Sequence, residues 1–182
     1  MGYRIRTFKN LPKHFNFYFI LIGDYSNCDK INNLFNQDFD KIADRLETSA
    51  IVKSVSNRSL DEEVYKAFEK IINDKNHHYN NLISSLESSY PGLLILDCHP
   101  DNINDKSLLL FITFDTLNNE YTSNNELIKD LVDLAKKINT NIINRFSKKK
   151  GFLTRFFDSM ILEPNFFGFG FNLKEILNIK SK

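Results

Sequence analysis

Covalent cross-links are nearly ruled out by composition. Of 182 residues only Cys28 and Cys98 are cysteine, and neither has a second cysteine close by. That excludes a disulfide framework and points to a reducing, intracellular setting, so a cytoplasmic location is expected. An excess of one charge is also missing, the formal net charge being +1. No global field draws the chain to nucleic acid or to an anionic membrane, and such a contact would need a local patch. No apolar run reaches the ~18 residues of a membrane helix. The longest, 15–22, already contains Asn16. The opening MGYRIRTFKN has no signal-peptide core, and Arg6 stands where myristoylation needs Ser or Thr. Cys-x-x-Cys and His-x-x-x-His pairs, which would support zinc, are absent. So are a Gly-x-Ser-x-Gly elbow and the further glycines that would make Gly23 part of a dinucleotide fingerprint.

What is present reads as a globular domain. The apolar fraction is 42% and the charged fraction 26%, ordinary values that argue against disorder over most of the chain. Richness in Asn, Ile, Lys and Phe fits an AT-rich genome, and a bacterial source is expected. Tyr3, Ile5 and Thr7 alternate with arginines as a half-buried strand does, and 15–22 and 50–55 follow as strands. Ile31, Leu34, Phe35, Phe39, Ile42 and Leu46 lie at helical spacing. Ser59 and Glu62 form a capping box for a helix through Phe68 and Ile71. The polar stretch 73–81 interrupts it, and Leu82 to Leu86 resume it. Strands are expected at 93–97 and 108–114, a polar loop at 118–125, and one long helix from Leu127 through Ile142, stopped by Gly151. Strands alternate with helices. The class is therefore α/β, a single domain over 1–182 with a mixed sheet of about five strands and helices packed on it, ending in an aromatic-rich segment at 152–182.

The stretch GLLILDCHPDNINDKSLLLFITFDT, 92–116, carries the densest chemistry. Asp97 precedes Asn102 by five positions, with His99-Pro100 between, and Asp115 ends the next apolar run. This spacing resembles the catalytic segment of aminoglycoside phosphotransferases and related kinase-like enzymes. The resemblance implies Asp97 as base and Asn102 and Asp115 as Mg²⁺ ligands, with His99 in the same loop. It covers about 25 residues, puts Ile95 where that family has His, and lacks a Gly-rich phosphate loop upstream. A second possibility is a Mg²⁺ site made from Asp24 and Asp97, if their strands are parallel neighbours. Asp115 is harder to include. The short connection 98–106 makes the flanking strands an antiparallel pair, and the intervening residues at ~3.3 Å each put Asp97 and Asp115 roughly 25 Å apart. The third reading, preferred here, is structural: His-Pro-Asp-Asn is good turn chemistry.

Arg145, Lys148, Lys149, Lys150 and Arg155 are interleaved with Phe146, Phe152, Phe156 and Phe157. Such a stretch suits phosphate in nucleic acid or lipid headgroups, or equally a helix C-terminus followed by core aromatics. Phe166, Phe167, Phe169 and Phe171 alternate with Gly168 and Gly170 further on. The leading expectation is a non-catalytic interaction or accessory subunit. It would contact a protein partner, or a second copy of itself, through Lys148, Lys149, Lys150, Phe152, Arg155, Phe156, Phe167 and Phe169. No cofactor is expected on that reading. Mg²⁺ belongs only to the phosphotransferase or hydrolase alternative. Nucleic-acid binding through 145–155 is the third option.

Overall fold

Period-two alternation divides the side chains of each apolar run between two faces. In the computed structural model, which describes residues 1–23, 30–55, 60, 62–64, 66–67, 91–103 and 107–147, both faces of the sheet are covered. Phe19, Leu21, Ile51, Leu93, Ile95, Leu110 and Ile112 pack to one side. Tyr18, Ile20, Ile22, Val52, Leu94, Leu96, Leu109 and Phe111 pack to the other.

Five strands form the sheet: β1 (Gly2–Ile5), β2 (Tyr18–Ile22), β3 (Ala50–Ser54), β4 (Gly92–Leu96) and β5 (Leu109–Thr113), in the order β1-β3-β2-β4-β5. β1 and β2 run parallel to β3, while β4 is antiparallel to β2 and to β5. The sheet is therefore mixed, with β4 alone reversed. The expected antiparallel pairing of the two apolar runs around 98–106 is observed, in the register Leu96↔Leu109 to Gly92↔Thr113.

The first face is covered by α1 (Lys30–Gln37), α2 (Phe39–Arg45), α3 (Phe114–Glu120), α4 (Asn124–Ala135) and α5 (Asn141–Ser147). The second is covered by a 3-10 turn, Phe8–Asn10, and by Leu60 and Val64 of a helical stretch. The chain crosses from β1 to β2 over the second face and returns from β2 to β3 over the first. Going out over one face and back over the other gives both parallel crossovers the same hand.

Three element boundaries differ from the sequence reading. The 31–46 helix is two helices, because Asp38 leaves helical geometry at φ −106, ψ 14. Part of the expected polar loop 118–125 is helix α3, started by the Thr113 side chain, which accepts the Thr116 amide. The long helix of 127–142 breaks after Ala135. Lys137 turns left-handed at φ 57, and Ile138, counted as core from its spacing, is 66% exposed. Ser59, the interruption at 73–81, the helix at 82–86 and the whole of 148–182 lie outside the described residues.

Gly23 and Gly92 meet requirements that a side chain would violate. Gly23 ends β2 at φ +91, and an added Cβ would fall 2.6 Å from the Pro91 Cα. At Gly92 an added Cβ would lie 2.6 Å from the Ile112 carbonyl and 2.7 Å from the Phe111 ring.

Candidate functional site

The loop leaving β4 is the first place to look, and its polar side chains prove to be turned inward. Asp97 accepts the Leu108 amide at 2.8 Å, closing the loop back onto the start of the next apolar run. Burial pushes its carboxyl above the ordinary carboxylate range, partly offset by that amide. Cys98 bonds the Ser107 hydroxyl at 3.3 Å, and burial raises its thiol too. A thiol held this way is the opposite of an activated nucleophile.

His99 is 2% exposed. Its Nδ1 accepts the Asp101 amide at 3.1 Å, and its Nε2 lies 3.2 Å from the Leu11 carbonyl. An Nδ1 that accepts leaves the proton on Nε2, which donates to Leu11. The ring meets Tyr18 edge-on, with centroids 5.6 Å apart. Burial lowers its affinity for a second proton, with the Asp101 carboxylate pulling the other way. Pro100–Asn102 is a single 3-10 turn, sealed by the Asn102 amide on the His99 carbonyl at 2.8 Å. His99 therefore ties together the turn after β4 and the segment between β1 and β2.

The acidic residues named from the sequence are not gathered here. Asp115 is exposed in the first turn of α3, beyond the Thr113 end of β5, whereas Asp97 follows the Leu96 end of β4. The two stand at opposite ends of the hairpin. Asp24 lies outside the described residues. β2 and β4 are neighbours as the Mg²⁺ reading required, yet antiparallel, with Ile22 opposite Gly92. The exit of β2 is thus at the far end from Asp97, which corrects the parallel pairing assumed for an Asp24–Asp97 site. Among the described residues no group of three or more His, Cys, Asp or Glu is arranged to hold a metal. Asn102 is exposed on the turn. Lys148, Lys149, Lys150, Phe152, Arg155, Phe156, Phe167 and Phe169 lie outside the described residues.

Sequence reasoning missed two features. The first is a buried clasp on the helical face. Asp130 is 4% exposed and accepts the Tyr121 hydroxyl at 2.9 Å. Arg145 stands over the Tyr121 ring at 4.4 Å and bonds Glu126 at 2.6 Å and the Glu120 carbonyl at 3.0 Å. Burial, reinforced by Asp130, raises the Tyr121 hydroxyl far above its usual value. Arg145, grouped by sequence with the basic stretch, is thus engaged within the fold. Its only signal was Asp130 falling on the apolar stripe of α4. The second is topological. β2 exits towards α1 on one face, and β3 exits towards Leu60 on the other. Adjacent parallel strands whose connections part in this way make a topological switch point at their carboxyl ends, here at Gly23 and Val55; the loops 24–29 and 56–59 that follow lie outside the described residues.

No protein-family model, curated protein or solved structure matches the chain.

Proposed function

We propose that this is a non-catalytic interaction or accessory protein, which contacts a protein partner through its aromatic C-terminal segment, aided by the basic stretch at 145–155. The observation that carries this reading is the accounting of phenylalanine. All nine described ones (Phe8, Phe15, Phe17, Phe19, Phe35, Phe39, Phe111, Phe114 and Phe146) are buried, and they fill both core clusters or the ends of them. Seven more crowd into 152–171, an apolar load of the kind that marks interaction surfaces. The central loop supports the same reading from the other side. Asp97 and His99 spend their polar atoms on backbone groups, and Cys98 on the Ser107 hydroxyl. The kinase-like alternative needs Asp97 as base beside an ion held by Asn102 and Asp115, and the β4–β5 register puts Asp97 and Asp115 at opposite ends of the hairpin.

Photo-crosslinking tests the proposal. A photoreactive phenylalanine analogue at Phe152, Phe167 or Phe169 is expected to give products joined to a second polypeptide in the protein's native cells. The same analogue at buried Phe19 is expected to give none. Exclusively intramolecular products at all three tail positions would refute the reading. A partner that is a second copy of this chain would appear as a crosslinked dimer.

A further inference from the structure

Among the described residues β1 lies at the edge of the sheet, with β3 as its one neighbour. The Ile51 amide bonds the Met1 carbonyl, and the Val55 amide bonds the Ile5 carbonyl. Backbone groups alternate sides along a strand. The odd-numbered residues therefore face β3, and the amides of Gly2, Arg4 and Arg6 and the carbonyls of Gly2 and Arg4 point outward, unpaired among the described residues. This is a template on which another strand can add.

The charge around that edge is unbalanced. Arg4 stands directly opposite Lys53 on β3, a like-charge placement that disfavours folding. Both cations lie against the Phe39 ring, Arg4 Cζ at 4.8 Å and Lys53 Nζ at 4.5 Å from its centroid. Asp40 answers Arg4 at 2.9 Å, but its side chain is 73% exposed. Among the described residues no carboxylate pairs with Lys53. Burial and the nearby arginine both make its positive charge harder to hold. Asp40 pulls the other way, and a further carboxylate would add to that pull against the arginine.

We propose that the β1 edge takes an extended acidic segment of another protein. The segment adds as a strand beside β1 and sets a carboxylate against Arg4 and Lys53. Main-chain bonds to Gly2, Arg4 and Arg6 supply the affinity common to strand addition, and the cationic pair selects the sequence. The same charge turns away a second copy of this chain, because edge-to-edge pairing would bring arginines against arginines. This proposal uses residues other than 152–182 and does not depend on the reading of that segment.

The test is a ¹⁵N NMR titration of the full chain with a short synthetic peptide alternating Glu with Val and Thr, beside a counterpart carrying Lys for Glu. The acidic peptide is expected to shift the amides of Gly2, Arg4 and Arg6, and the basic one to leave them in place. Arg4→Glu with Lys53→Glu should weaken binding about fivefold or more, the effect of roughly 1 kcal/mol of exposed ion pairing. Arg4→Gln with Lys53→Gln, the milder pair, should give a smaller loss in the same direction at an unchanged melting temperature. Added salt should weaken binding of the acidic peptide. Equal shifts with both peptides, shifts confined to β5, an affinity untouched by charge reversal, or no shifts at all would each overturn the proposal.

Discussion

His99 and Asp97 have opposite proton preferences, and each leaves a measurable trace. His99 is held neutral, with one ring nitrogen accepting and the other donating. Its folded proton affinity lies below the unfolded value of 6.5, so the folded chain binds fewer protons. The stability it contributes is present above that value and fades as pH falls through the lower folded one. Chemical denaturation from pH 7 to 5 should show this loss, and His99→Gln should flatten it. Asp97 is shifted the other way. Its folded value lies above 3.8, so its contribution is greatest in acid and declines as pH rises through the raised value. Asp97→Asn removes that charge and keeps a carbonyl for the Leu108 amide. At pH 7 it is expected to leave the melting temperature level or raise it. Asp97→Ala strands the amide and should cost about 1–3 kcal/mol. A base used in phosphoryl transfer would give a different result, in which Asp97→Asn abolishes activity and stability is beside the point.

Among the elements, the break between α4 and α5 shows most plainly where sequence period misleads. Leu127, Leu131, Leu134, Ile138 and Ile142 stay near helical spacing, and nothing in that pattern ends the helix. The structure ends it at Lys137, whose left-handed φ of 57 is an unfavourable conformation for a residue with a Cβ. Glycine fits that position, so Lys137→Gly is expected to raise stability by up to ~1 kcal/mol in urea unfolding. The helices are then fastened by the clasp of Tyr121, Asp130 and Arg145. Tyr121→Phe removes one partner of a buried carboxylate and should cost about 1–3 kcal/mol. In a double-mutant cycle with Asp130→Asn the two losses should fall short of adding, since they act on one network.

Across the whole molecule, register separates the possible chemistries. β4 runs against both neighbours, and this sends the acids that follow β4 and β5 to opposite ends of the sheet. On the proposed function, recognition falls in part to the basic residues that follow α5 in the sequence. Lys148→Gln with Lys149→Gln and Lys150→Gln is expected to slow partner association and blunt its salt dependence, because exposed pairs contribute only ~0.2–1 kcal/mol each. Substituting Phe166, Phe167 and Phe169 by Ser should remove binding outright. The reverse ranking, with steep salt dependence and indifference to the phenylalanines, would identify a nucleic-acid ligand instead.

Much of this fold was legible in the sequence because apolar spacing is a local property. The unbroken apolar runs at 18–22, 92–96 and 109–113 mark strands covered on both faces, and a connection as short as 98–106 leaves room only for an antiparallel turn. His-Pro-Asp-Asn could likewise be recognised as a turn from residue types alone. The direction of β2 against β4, the inward use of His99 and Arg145, and the outward backbone of β1 were decided in three dimensions. Each depends on a partner far away in the chain: Leu11 for His99, Glu126 for Arg145, and β3 for β1. Spacing along one segment carries no information about what another segment brings beside it, and burial and hydrogen bonding are settled only when the two meet.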